Sequence, residues 1–490
     1  MIPVLLILVP LVAGLLGFFI REDRTAKLWS LFISFAVLII SILGLTAFKG
    51  SANLEADVAW MEGLGSRFHV ALDGMGQLLC LLTAIAFPVI FIATFHSSYR
   101  NAKNFYGLML LAQAGLMGVF LAMDALLFYF FWELALIPAY FLCSIWGGDR
   151  RIAVTFKFFI YTFVGSLFML VAIIYTYFHT PDLSFAIKSF YSATLSPSQQ
   201  SWLFWFFFIA FAIKMPLFPF HTWQPDTYEQ SPTAVTMVLS GVMVKMGVFG
   251  VIRWMAPIVP NGFWAWGDAA AFMSMFGMIY ASILAIQQDD IKRLVAYSSI
   301  AHIGLMCLAI FSATNTGMQG VMIQMFNHGI NIIGLWIVVE LIERQFKTRK
   351  LSELGGLAQK APALAILLVI VALANVALPL TNAFVGEFLM FTGVFTSNVS
   401  KWNYVQTVVA GFSIILSAVY TLNMIQKVFF GSTNNLTATG KDIASNEKLI
   451  LGILVIVILV IGIYPKPVLE LTESTVDAIL SRMSTQHPKS

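Results

Sequence analysis

Nearly the whole sequence is divided into apolar runs of bilayer-spanning length joined by short polar loops. The runs fall near 2–20, 28–48, 72–95, 105–123, 125–146, 152–178, 202–220, 233–255, 266–287, 293–312, 318–342, 362–396, 403–430 and 447–464. A helix needs about 20 apolar residues to cross the hydrocarbon core, and in lipid it satisfies its own backbone groups. The expected fold is an all-α polytopic membrane protein with about fourteen transmembrane helices. Composition agrees, with 59% hydrophobic and 11% charged residues and a mean hydropathy of +0.86. A soluble domain carries roughly 25% charged residues. Residues 1–20 lack a basic leader region and a small-residue cleavage site, so they read as a retained first helix. Separating 105–123 from 125–146 depends on a tight hairpin at Asp124.

The same sequence excludes several function classes. Cys80, Cys143 and Cys307 all lie in apolar runs with no CxxC spacing, which argues against disulfides, iron–sulfur clusters and zinc sites. No Gly-rich loop has a dinucleotide or Walker pattern, so no redox cofactor is expected in this chain. A net charge of +4 without a basic run gives no footprint for nucleic acid. Loops after odd-numbered runs hold sixteen Lys and Arg residues, and those after even-numbered runs hold five: Lys49, Arg67, Lys188, Arg253 and Lys401. The positive-inside rule then puts the odd loops in the cytoplasm and both termini on the periplasmic side of a bacterial inner membrane. The longest polar insertions, around 49–71, 179–200 and 343–361, are loop-sized, and the tail after Tyr464 reads as an amphipathic surface helix with a frayed end.

Among ionisable groups within the apolar runs, four stand out near the middle of their helices: Glu133, Lys214, Lys245 and Glu387. Each costs roughly 2.5–3.5 kcal/mol at the helix centre on insertion scales, so it persists where it faces protein or water. A buried lysine can act simply as a strut against a carboxylate. Four such groups on four runs also fit a lateral row of exchangeable charges. Burial disfavours the ammonium and a nearby carboxylate favours it, so a Lys–Glu pair of variable separation is a proton switch. Directly after Lys214, Pro216 and Pro219 break the run. Carbonyls freed at that depth survive against protein or in a hydrated cavity, although a proline kink can also serve packing alone.

A second break is expected in LANVALPLTNAFVGEFLMF, where Asn375, Pro379, Thr381 and Asn382 precede Glu387. Five runs separate the two breaks, so helices 4–8 and 9–13 are expected to be inverted five-helix repeats. The expected organisation is 1–104 for helices 1–3, 105–255 and 256–430 for the repeats, and 431–490 for helix 14 and the tail. Polar stripes cross the second half: Gln324, Asn327, His328 and Asn331 share one face, Tyr297, Ser298 and His302 share another run, and Ser413, Ser417, Tyr420 and Lys427 recur at helical spacing. His221, His302 and His328 are candidate relays, while His328 and Lys427 also suit purely structural roles.

The segments QQDDIKRLVAYSSIAHIG (287–304) and PLFPFHTWQPDTYEQSPTA (216–234), together with the KMPLFPFH break, resemble the antiporter-like subunits of respiratory complex I and of Mrp-type cation/proton antiporters. The resemblance runs from the third helix to the thirteenth. It implies that Glu133, Lys214 and Lys245 match the family's glutamate and two lysines. Glu387, standing where L- and N-type subunits carry lysine, points to the M-type branch of NADH:quinone oxidoreductase. Two departures stand out. Gln224, Thr227 and Tyr228 replace residues of the usual W-L-P-D-A-H motif, and the second break lacks the usual glycines.

The resemblance implies a non-redox translocase subunit that moves H+ from the cytoplasm outward through Glu133, Lys214, Lys245, Glu387, His221, His302 and His328. FMN, iron–sulfur clusters and quinone would sit in other subunits, and L-type and N-type subunits would be its neighbours in the bilayer. An Mrp-type Na+/H+ antiporter subunit is the alternative. A scaffold with purely structural buried charges is a third reading.

Overall fold

A computed structural model describes residues 1–484 of the chain, so the last six residues of the expected tail lie outside the described residues. The main helices are α1 (Ile2–Gly17), α2 (Asp23–Leu45), α3 (Gly74–Ala93), α4 (Ala102–Leu121), α5 (Ala125–Trp146) and α6 (Arg151–Tyr177). They continue with α7a (Pro197–Lys214), α7b (Trp223–Gln230), α8 (Thr233–Ile258), α9 (Pro260–Ile286), α10 (Ile291–Phe311) and α11 (Asn315–Phe346). The chain finishes with α12a (Pro362–Asn375), α12b (Asn382–Phe395), α13 (Asn403–Phe429), α14 (Ser445–Ile463) and α15 (Lys466–Ser484). Among the described residues, eleven helices are long and apolar enough to cross a membrane, and α1, α12a and α12b are shorter apolar helices.

Burial sorts these helices into a centre and a rim. α8 is buried along its whole apolar window, and α10 and α11 almost so, whereas α2, α6, α13 and α14 bury only 33–39% of theirs. An apolar helix buried all round belongs in a core, and one with an apolar outer face belongs against lipid. Ile152, Phe156, Leu167 and Val171 of α6 and Val408, Phe412 and Ile415 of α13 are exposed in this way. The centre is closely packed. A methyl on Gly241 of α8 would meet Ile333 of α11 at 2.8 Å, and one on Gly329 of α11 would meet the Gly241 carbonyl at 2.9 Å. Small residues allow this backbone approach, and in lipid, packing and hydrogen bonds drive helix association.

Three local expectations are corrected. The polar stretch 49–71 holds an antiparallel hairpin, β1 (Glu55–Met61) with β2 (Ser66–Ala71), so the fold is helical with one small sheet. The W-x-P-D segment, expected as a loop, forms α7b. Arg253, assigned to a loop by charge counting, lies inside α8, buried and paired with Asp73 Oδ2 at 2.5 Å. The tight turn at Asp124 is present. Its carboxylate accepts from Leu126 N and Leu127 N (both 3.0 Å), capping α5, and from Ser66 Oγ (2.9 Å) and Arg67 N (3.0 Å) of the hairpin. One side chain therefore starts a helix and pins the sheet.

The basic loops gather on one face, where their charges are interlinked. Arg293 Nη1 bonds Asp226 (3.0 Å) and Glu229 (2.9 Å) of α7b, Lys157 bonds Asp226 (2.9 Å), and Arg349 bonds Asp290 (3.1 Å). On the opposite face α15 lies across the ends of α3 and α11, where Thr472 Oγ1 donates to Gln319 Oε1 (3.0 Å).

Asp124→Ala removes the cap and the hairpin anchor together, at a cost of about 1–2 kcal/mol from the cap alone. Limited proteolysis of the solubilised protein is expected to cut faster within 55–71 in this variant than in wild type.

Candidate functional site: a buried row of charged and polar side chains

Two broken helices and two close helix contacts assemble the site. α7a ends at Lys214, where Pro216 and Pro219 interrupt the backbone ladder, with a cis peptide before Pro219. The break is braced by Trp223 Nε1, which donates to the Ile213 carbonyl at 3.0 Å. Lys214 is buried, with its ammonium over the Trp132 ring (5.4 Å to the centroid) and no protein hydrogen-bond partner. Glu133, on α5, is half-buried beside Ser166 of α6, and its Oε1 is also unpartnered. Glu133 and Lys214 are near enough to couple through space, yet no ion pair within 4.0 Å joins them among the described residues. Glu133 also lines a pocket of about 390 Å³ with Trp60, Met61, Tyr129, Phe130 and Ile137. Phe130 and Ile137 are exposed, so this end of the row opens sideways.

The other end is tightly connected. α8 contains a π turn, Leu239–Met243, and Lys245 follows one residue beyond it, after Val244. Such turns recur at functional sites because they displace a carbonyl and shift the following side chains. Lys245 has no exposed surface. Its ammonium donates to the Ser240 carbonyl (2.7 Å) and to His328 Nδ1 (2.8 Å). When Lys245 is protonated it only donates, and in that state His328 accepts through Nδ1 and carries its proton on Nε2. The His328 and His302 rings lie 5.6 Å apart, and His302 Nδ1 lies 3.2 Å from Glu387 Oε1. Both Nε2 atoms lack protein partners. Lys245, His328, His302 and Glu387 thus form one buried series across α8, α11, α10 and α12b.

The polar stripe of α11 holds the second break in place. Asn327 Nδ2 donates to the Asn382 carbonyl (2.7 Å), Asn331 Nδ2 to the Ala374 carbonyl (3.4 Å), and Asn375 Nδ2 to Ser298 Oγ of α10 (3.1 Å). The break lacks glycine, and the backbone meets the need with strained residues: Ala377 has φ 60° and Leu380 φ 74°. α14 packs directly against Leu380, and a methyl on Gly462 would overlap the Leu380 carbonyl oxygen. Tyr420 of α13 lies near Ser298 and Glu387.

One expected member, His221, and the stripe residue Lys427 stand apart. His221 sits in the first break against Phe218 and Tyr280, its Nδ1 unpartnered. Lys427 is exposed near the basic-face end of α13, away from the row. The paired Asp73 and Arg253 were missed, although Arg253 stands in an apolar run much as Lys245 does. Asp290, in the loop before α10, is pushed above the usual carboxylate range by burial, with the Arg349 guanidinium acting the other way. Among the described residues no group of three His, Cys, Asp or Glu could hold a metal ion.

The chain has relatives among known proteins. The family described as NADH:quinone oxidoreductase/Mrp antiporter, TM, matches residues 122–425, a stretch that includes every member of the row. The chain belongs to this family. It is similar to NADH-quinone oxidoreductase subunit M of Rickettsia typhi, 34% identical over 97% of each chain. It is similar also to F(420)H(2) dehydrogenase subunit M of Methanosarcina mazei, 33% identical over 98% of this chain and 99% of that one. Among solved structures it matches a chain of respiratory complex I from Thermus thermophilus with bound NADH, 28% identical, TM-score 0.91, over 99% of this chain and 100% of that one.

Gly462→Ala should force the second break to move and lower stability by about 1–3 kcal/mol, as overpacking does. Gly452→Ala, whose added methyl on the same helix meets open space, is the neutral control in the same thermal-denaturation series.

Proposed function

We propose that this chain is a proton-translocating membrane subunit of an NADH:quinone oxidoreductase, driven by redox chemistry in other subunits. The observation that carries this reading is the continuous buried series from the Lys245 ammonium through His328 and His302 to Glu387. A lysine that donates to an imidazole, and a second imidazole against a carboxylate, are groups able to pass a proton with small displacements. The Nε2 atoms that face no protein partner are where a water would complete the series.

In this reading protons are taken up from the basic, cytoplasmic face toward Lys214 and Lys245. Glu133 sets the affinity of Lys214 through space. Two unit charges 6–8 Å apart at an effective dielectric near 20 interact by roughly 2–3 kcal/mol, so closing or opening that gap loads or unloads the lysine. Charge then moves along the histidines, and Glu387 loads the release path to the periplasm. α4–α8 and α9–α13 act as inverted repeats, each with one broken helix, within fourteen spans whose termini both face outward; the two interrupted helices α7 and α12 support this. The repeats correspond to 105–255 and 256–430, preceded by 1–104 and followed by 431–490. L-type and N-type subunits flank the chain, and the sideways-open pocket at Glu133 suits contact with such a neighbour. FMN, iron–sulfur clusters and quinone belong to other subunits.

The family description also covers Mrp antiporters, so a Na+/H+ antiporter subunit without redox drive is the second reading. Vesicles separate the two: in the first, proton transport requires NADH oxidation, and in the second a sodium gradient alone drives it.

Lys245→Ala and Glu387→Gln in the assembled complex are expected to lower the protons moved per NADH oxidised, with assembly retained. Wild-type stoichiometry in both variants would remove the row from the mechanism. Glu133→Gln, outside the Lys245–Glu387 series, is expected to change the pH dependence of pumping through Lys214 more than its maximum rate.

A further inference from the structure

Between the charged cluster on the basic face and Lys245 lies a set of buried polar atoms that the row does not use. Gln224 and Tyr228 stand one turn apart on α7b, and neither has exposed surface. Both amide atoms of Gln224 and the Tyr228 hydroxyl lack a protein hydrogen-bond partner. The two side chains are neighbours, but outside hydrogen-bond geometry. The Tyr228 ring meets Trp336 of α11 edge-on at 6.0 Å, and the Trp336 indole N–H is unpartnered as well. A buried polar group left unsatisfied costs about 1–3 kcal/mol, and an internal water with two to four polar neighbours is the usual remedy.

Both ends of this cluster lead somewhere. Toward the basic face, Glu229 follows Tyr228 directly, pairs with Arg293, and lines a cavity of about 740 Å³ together with Arg150, Asp290, Glu343 and Arg349. Toward the membrane centre, a thread of hydroxyls continues along α8. Thr236 Oγ1 donates to the Tyr228 carbonyl (3.3 Å), Ser240 Oγ donates to the Thr236 carbonyl (2.8 Å), and Lys245 Nζ donates to the Ser240 carbonyl (2.7 Å). Lys245 has no surface of its own, so a proton that reaches it crosses protein interior.

We propose that Gln224 and Tyr228 are positioning residues that hold an internal water site, and that this site is the inlet through which Lys245 is reprotonated from the basic face. The proposal rests on the reading of Lys245 as a loading site. The related motif carries Leu and His at these two places. Here an amide and a phenol stand there instead, both with unpartnered polar atoms, and the phenol ring packs against Trp336.

The assembled complex in closed vesicles provides the test. Tyr228→Phe and Gln224→Leu keep most of the volume and remove the polar atoms. Each should slow NADH-driven proton uptake roughly three- to tenfold, the effect of losing about one bridging water, and raise the solvent deuterium isotope effect. Tyr228→His, which restores a donor, should recover the rate; a residue that only fills space would not distinguish Phe from His. Wild-type uptake and isotope effect in the double Phe/Leu variant, in a complex where Lys245→Ala lowers uptake, would overturn the inlet and leave the row standing. If Lys245→Ala also pumps normally, the inlet and the row fall together. Radiolytic hydroxyl-radical footprinting of the wild-type complex decides the matter even where a variant does not assemble. Tyr228 has no exposed surface, so its oxidation requires a water held against it, and a Tyr228 that stays unmodified overturns the proposal.

Discussion

The Lys245 ammonium is a charge with no access to solvent in the centre of the most deeply buried helix. Several kcal/mol of desolvation must be offset there by acceptors placed at hydrogen-bond distance. The π turn before it presents the Ser240 carbonyl, and the close approach of Gly241 and Gly329 brings α11 near enough for His328 to accept. These are backbone features of α8 and α11. The site is therefore built into the packing of the core, and the position of every later member of the row follows from it.

The two ends of the row differ in their coupling. Glu387 and His302 are in contact, whereas Glu133 and Lys214 influence each other only through space and keep unpartnered atoms. A contact pair transfers a proton by small motions. A separated pair responds to anything that changes distance or dielectric between its members. In the proposed function this divides the labour: the Glu133 end senses, and the histidine end conducts. The sideways opening of the Glu133 pocket places the sensing end where an adjoining membrane subunit would touch it.

Much of this was legible in the residues. Apolar runs gave the helices, because crossing lipid demands a length and an apolarity that nothing else in a sequence imitates. Lys214 beside Pro216 and Pro219, and Glu387 after Pro379, marked both breaks, because proline interrupts the ladder wherever it stands. The α11 stripe was visible by its spacing, and its asparagines do bond the second break. Other features left no such mark. The hairpin at 55–71 is held by Asp124, distant in sequence and visible beforehand only as a turn residue. Leu380 at φ 74° stands where glycine would be expected, and it packs against Gly462, some eighty residues away. Charge counting misplaced Arg253, because a buried arginine and a loop arginine contribute equally to a tally.

The sequence by itself determined which segments enter the membrane, where two of them break, and which ionisable groups lie at depth, since these depend on local length, polarity and backbone chemistry. Only the tertiary structure decided which of those groups meet. Lys245 joins His328, His302 joins Glu387, while His221 and Lys427 stand apart. The reason is physical. Hydrogen bonds and desolvation act over a few ångströms, and those distances are set by how helices far apart in the chain approach one another.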